Sequence, residues 1–250
     1  MTDKSQQVYE FLASDHPSFD EFKILLEHVA PGVLAKRYLA SGLPFVFKGQ
    51  PHKYLAFREA VGRVFGVAPQ QVAVMGSARF GFSTSPKKQK KGVEKTLDEN
   101  SDMDLVVVSP AIFVSTLESF ARYTFEALRE CPDLRSDAKS PGEQVALSKQ
   151  TLLALRRRSK ALFFGYVSPS DLTDGSPEKQ RFYDMQREAA TQLFGTAPPG
   201  PINRIGARIY RDWDSAERAY EFSFKVLAEA LEIAPKDTYT SVALGDDEEN

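Results

Sequence analysis

The chain contains a single cysteine, Cys131, so no disulfide can form within it and a disulfide-stapled fold is excluded. That usage fits a reducing compartment, and a cytoplasmic protein is the expectation. Histidine is scarce as well. His16, His28 and His52 stand far apart, and no Cys/His cluster has the spacing of a zinc site. No apolar run approaches the roughly 20 residues that span a bilayer, and the opening residues lack the apolar core of a signal peptide, so no membrane partner is expected. One-sided charge is missing too. The net charge of −2 argues against a uniformly basic coat for nucleic acid. No internal repeat is visible.

What remains is ordinary globular composition, 42% hydrophobic and 26% charged over 250 residues, enough for one large domain or one domain with a helical extension. Its most informative stretch runs from Val72 to Ser109. Two short Val-rich runs bracket a polar, lysine-rich loop. β-Branched side chains suit a pleated sheet, so both runs read as buried strands. The first, Val72 to Met75, delivers Gly76-Ser77. The second opens with Ser101-Asp102-Met103-Asp104 and continues to Val108. Residues i and i+2 of a strand share a face, so Asp102 and Asp104 point the same way. Two adjacent carboxylates raise each other's pKa unless a cation sits between them. Mg²⁺, or Mn²⁺ in its place, suits such a pair, because it takes carboxylate and substrate phosphate oxygens together. Gly76 lets backbone approach a phosphate closely. Ser77 adds a hydroxyl, and N–H groups of the following turn or helix start favour an anion.

An apolar strand, Gly76-Ser77, and then Asp102-x-Asp104 at the start of a second strand together resemble the DNA polymerase β-like nucleotidyltransferase superfamily, its small prokaryotic members in particular. The resemblance covers about a sixth of the chain. It implies an α/β (α+β) fold with a small mixed β-sheet covered by helices. It also implies NTP and Mg²⁺ as ligands, and transfer of a nucleoside monophosphate to an acceptor. Asp102 and Asp104 would hold metal, and Gly76 and Ser77 the β- and γ-phosphates. The chain departs from the family pattern at three places. The interval from Ser77 to Asp102 is longer than usual. The Ala78-Arg79 pair falls one place early. No third carboxylate on a later strand is obvious, and Asp212, just past a strand-like segment, is the best candidate for that catalytic role. Arg79 and Ser83 are counted with the nucleotide-binding residues.

The loop after Phe82 carries Lys87, Lys88, Lys90, Lys91 and Lys95. Lysines there read either as a phosphate clamp, with Lys87 or Lys88 assisting the leaving pyrophosphate, or as a solvated loop. Ser85 shares the reading of Ser83.

The rest of the chain is organised around this stretch. Residues 1–66 form a helical N-terminal extension. Val8, Phe11 and Leu12 make one apolar stripe, and Phe19, Phe22, Leu25, Leu26 and Val29 another at helical spacing. Ser18 and Glu21 fit a capping box. These stripes read as core, with a partner-protein face as the alternative. A short helix ends at Gly42, Leu43 to Phe47 reads as a short strand or an apolar plug, and Tyr54 to Phe65 is a helix stopped by Gly66. Residues 67–233 form the nucleotidyltransferase-like domain. Pro110 opens a helix to about Arg129, a loop covers 131–142, and a second helix covers 143–160. That helix ends in Arg156-Arg157-Arg158, either complementing the macrodipole or forming an acceptor patch. Ala161 to Val167 suggests a third strand, 177–194 a helix, Ile202 to Tyr210 another strand, and 215–233 the last helix. An acidic tail, 234–250, has a disordered composition.

The function expected from this reading is Mg²⁺-dependent transfer of an NMP from NTP to a protein, RNA or small-molecule acceptor. A toxin–antitoxin or phage-defence setting suits the small prokaryotic resemblance. The alternative is a catalytically decayed nucleotide-binding sensor or partner-binding module. An α/β adaptor that binds neither metal nor nucleotide is the third class.

Overall fold

The computed structural model describes residues 4–86, 95–98, 101–130, 159, 162–168, 177–194 and 202–234. Three helices open the chain: α1, Lys4–Ala13; α2, Phe19–His28; and α3, Pro31–Ala40. The capping box before α2 forms: Glu21 N–H donates to Ser18 Oγ at 3.3 Å, and Ser18 N–H donates to the Glu21 carboxylate at 2.7 Å. Pro31 starts α3 and Pro51 starts α4, Pro51–Phe65, where a missing N–H costs nothing. Between them, Leu43 to Phe47 is not a strand. Pro44 lacks a ladder donor, and Phe45–Phe47 closes a single 3₁₀ turn that plugs Phe47 into the core.

Then come β1, Val72–Met75, the one-turn helix α5, Ser77–Phe80, and β2, Ser101–Val108. The long helix α6 covers Pro110–Glu130, followed by β3, Tyr166–Val167, α7, Pro177–Phe194, β4, Ile202–Tyr210, and α8, Trp213–Ala230. The third strand is shorter than expected. Leu162 and Phe163 are helical, Phe163 points to solvent, and the chain pairs only where Tyr166 and Val167 meet Tyr210 and Ile209. The loop expected at 131–142, the helix expected at 143–160 except for residue 159, its Arg156–Arg158 patch and the acidic tail from residue 235 lie outside the described residues.

The fold is α+β, a four-stranded mixed sheet in the order β1-β2-β4-β3. β1 runs antiparallel to β2, β4 lies parallel to β2, and β3 is antiparallel to β4. Alternation splits the sheet into two covered faces. On one, Val72, Val74, Met103, Leu105, Val107, Ile205, Ala207 and Ile209 pack against α4, α6 and α7. On the other, Ala73, Met75, Val106, Val108 and Tyr210 pack against α1, α2, α3 and α8. The N-terminal 66 residues thus supply helices to both faces, and their stripes are core: Phe22, Leu25 and Leu34 are fully buried.

A ring cluster ties the second face to the Gly76-Ser77 turn. Phe22, Tyr38, Phe80, Phe82 and Phe224 meet with centroids 4.9–6.2 Å apart. Each such pair contributes about 0.5–1.5 kcal/mol beyond area burial. Phe80 and Phe82 flank Gly81, so the cluster clamps the chain on leaving the turn. Beyond it, Phe82 bridges Thr96 and Ser83 N–H donates to Lys95 carbonyl at 2.8 Å, closing the base of the lysine-rich loop.

Candidate functional site

Asp102 and Asp104 share the face covered by α1–α3 and α8, at the N-terminal end of β2 where that cover stops. Both are exposed, whereas Val106 and Val108 on the same face are buried. They open into a cleft of about 300 Å³. Its walls come from four parts of the chain: Gly76 and Ser77 after β1, Ser83 to Pro86 of the loop, the two aspartates of β2 with Arg208 of β4, and Tyr220 with Ser223 of α8. The structure therefore brings Gly76, Ser77, Ser83, Asp102 and Asp104 together.

Gly76 sits at φ 66°, ψ −151°, a region that is essentially Gly-only. A Cβ there would lie 2.5 Å from Asp104 Oδ2. The turn thus packs its backbone directly on the carboxylate. Gly76→Ala should strain the backbone and displace Asp104, costing about 1–3 kcal/mol in stability, and divalent-metal titration should show weakened binding. An unchanged melt and unchanged titration would refute this account of the turn.

Ser77 Oγ donates to the Asp102 carbonyl at a long 3.4 Å, so the hydroxyl is loosely held at the cleft edge. The helix it starts has only four residues, and the N–H groups of Arg79 and Phe80 both donate to the Gly76 carbonyl. So short a helix has little macrodipole, and the helix-start contribution to anion binding expected from sequence falls away. Ser83 is buried, and its hydroxyl oxygen accepts the Ser85 N–H at 3.2 Å.

Arg79 does not line the cleft. It is 1% exposed, and its guanidinium donates to the carbonyls of Leu43, Ser41, Tyr38 and Asp15 at 2.6, 2.9, 3.2 and 3.3 Å. Its assignment to nucleotide binding is corrected accordingly. Two residues after Ser77, its side chain points into the N-terminal helices, where carbonyls of α3, the α3–α4 connection and the α1–α2 connection need donors. Burial pulls its pKa below the ordinary arginine value, and nearby Asp15 opposes that pull.

Asp212 is not a third metal ligand either. In the parallel register Asp104 pairs with Gly206 and Val108 with Tyr210. Asp212 therefore lies at the opposite end of the sheet, about 20 Å along the strand direction at 3.3 Å per residue. It is the N-cap of α8, accepting from Ser215 N–H and from Arg211 Nε, each at 2.7 Å. Burial would raise its pKa, but the Ser215 and Arg211 hydrogen bonds outweigh it and hold the carboxyl at about 2. A depressed carboxyl stabilises the fold above its unfolded pKa, about 3.9. That contribution is lost as pH falls through the folded value of about 2. Asp212→Ala should cost about 1 kcal/mol at neutral pH, as lost N-caps do. In urea titrations the gap from wild type should narrow between about pH 4 and pH 2; a constant gap would contradict the cap assignment.

Lys87 and Lys88 lie outside the described residues. Thr84, Arg208, Tyr220 and Ser223 line the cleft and were not anticipated. A signal existed for Arg208 in the second face of the β4 alternation. Another existed for Tyr220 and Ser223, a polar i, i+3 pair beside the apolar stripe of α8. Burial, followed by the neighbouring Tyr210 and Asp104, pushes the Tyr220 hydroxyl well above its ordinary pKa, so it stays a neutral O–H. Among the described residues no three His, Cys, Asp or Glu side chains gather to hold a metal. Two carboxylates on one face do fit one Mg²⁺ or Mn²⁺ that also takes substrate oxygens. Comparison of the chain with protein-family models, with curated proteins and with solved structures found no match.

Proposed function

We propose that the chain is a divalent-metal-dependent nucleotidyltransferase that moves an NMP from an NTP to a protein, RNA or small-molecule acceptor. The observation that supports this reading is the juxtaposition of the Gly76 backbone, the Ser77 hydroxyl and the paired Asp102 and Asp104 in one cleft. Asp102 and Asp104 hold the cation, which when bound neutralises charge on the transferring phosphoryl group. Gly76 admits a phosphate close to the backbone, and Ser77 with the 83–85 hydroxyls offers donors to its oxygens. Tyr220 and Ser223 line the same cleft and offer hydroxyls to an acceptor. In the reaction the acceptor oxygen forms a bond to the α-phosphorus. The bond from that phosphorus to the bridging oxygen breaks, pyrophosphate leaves and the acceptor proton passes to solvent. Positioning and electrostatics carry most of such a reaction.

The test uses the full chain with each α-labelled NTP and Mg²⁺ or Mn²⁺, with and without cell RNA and lysate protein. Label should move onto one acceptor class. Absence of transfer with every NTP and acceptor would sink the transferase reading.

A second reading, a nucleotide-binding sensor or partner-binding module, is favoured by the two-acid site, since no third acid joins Asp102 and Asp104 among the described residues. It is distinguished by metal-dependent nucleotide binding without transfer. No helix among the described residues is long and apolar enough to cross a membrane.

A further inference from the structure

The strand beside Asp104 carries a cation on the same face as the two aspartates. β4 runs parallel to β2, with Gly206 paired to Asp104 and Arg208 to Val106. Paired residues share a face, so Arg208 stands on the aspartate side and lines the same cleft. It is held there from several directions. Its guanidinium lies over the Tyr166 ring, 5.7 Å from the centroid, and interacts with Tyr220, Tyr210 and Asp104. Arginine is charged at any working pH, and its planar fork matches phosphate oxygens.

A two-metal site surrounds the transferred group with two divalent ions held by shared carboxylates. Here a guanidinium lines the cleft, and no third acid joins Asp102 and Asp104 among the described residues. We propose that Arg208 is the phosphate-binding cation of this cleft and stands in for a second divalent ion, so that the site takes a nucleotide with one divalent cation. This rests on the nucleotidyl-transfer reading above and specifies how that site holds its ligand.

The test is calorimetric titration of the full chain with ATP, GTP, CTP and UTP in the presence of Mn²⁺. Bound Mn²⁺ is counted by electron paramagnetic resonance, and wild type is compared with Arg208→Met and Arg208→Lys. Because Arg208 packs over the Tyr166 ring, a thermal melt of each variant accompanies the titration, which is read at a temperature where the variant is folded. Arg208→Gln replaces Arg208→Met should that one fail to fold. The expected result is nucleotide binding weakened about 10- to 100-fold in Arg208→Met, partly recovered in Arg208→Lys. Wild type should bind one Mn²⁺ per chain with nucleotide. A structural role alone would not give recovery by lysine. Equal affinity in Arg208→Met, or two Mn²⁺ per nucleotide in wild type, would overturn the proposal while leaving nucleotide binding standing. If wild type binds none of the four nucleotides, the parent reading falls first and Arg208 loses its role with it. The wild-type arm alone separates these cases.

Discussion

Replacing Asp102 and Asp104 together by asparagine should abolish nucleotidyl transfer while leaving the fold about as stable as before. The two carboxylates are adjacent on one face of β2 and exposed in the same cleft. Arg208 in the same cleft offsets part of the repulsion between them, and a bound divalent cation would offset more. Asparagine keeps the shape and removes both charges. The melting temperature measured in EDTA should therefore stay close to that of wild type, relief of the mutual repulsion being set against the lost attraction to Arg208. With Mg²⁺ present, the wild type alone should gain stability, because on the proposed reading it alone keeps the carboxylates that hold the ion. Transfer should fall by about 10³-fold or more, roughly 4 kcal/mol of transition-state stabilisation, since the cation neutralising the phosphoryl oxygens would no longer be held. The opposite pattern, with full transfer and a lowered melt, would make the pair structural and remove the basis for the proposed chemistry.

Local chemistry explains why part of this site is legible in the amino-acid sequence. Val-rich runs announce β1 and β2, and period-two alternation places Asp102 and Asp104 on one face. The alternation of Ile205, Ala207 and Ile209 marks the buried side of β4, and all three are buried. The partner of that strand is not legible. β2 and β4 are separated by about a hundred residues of chain, and parallel pairing leaves no turn signal. With β4 unplaced, the other half of its alternation, Gly206 and Arg208, carries no meaning, although Arg208 forms part of the cleft wall. Asp212 misleads for a related reason. An aspartate three residues before Ser215 at the start of an amphipathic run is an N-cap signal. The need for a third acid outweighs it when the sequence stands alone. Arg79 misleads because its neighbours in sequence are the phosphate-binding candidates. Its neighbours in space are carbonyls presented by the N-terminal helices, which no local pattern reveals.

Arg79 should consequently behave as a keystone of the fold and not as a ligand of the nucleotide. Arg79→Met preserves most of the volume but removes every donor. It leaves the carbonyls of Tyr38, Ser41, Leu43 and Asp15 without the guanidinium that now bonds them. Asp15 also loses a favourable charge, although Arg37 Nη2 and Leu43 N–H still donate to its carboxylate at 3.0 and 2.9 Å. Breaking a buried charged network by removing one partner costs about 3–5 kcal/mol. For a chain of this size that corresponds to a fall in melting temperature of about 6–20 °C at roughly 2–4 °C per kcal/mol. Arg79→Lys should recover little, because a single ammonium cannot serve carbonyls spread around a planar fork. The cleft should suffer through position alone. Arg79 is in the same helical turn as Ser77, and its tethers hold that turn against α3 and the 3₁₀ segment. Nucleotide affinity should therefore fall in step with the melt, and recover at temperatures where the variant is fully folded. A variant that melts as wild type does but binds nucleotide poorly would return Arg79 to the ligand shell. It would also mean that the guanidinium leaves its carbonyls when a nucleotide enters.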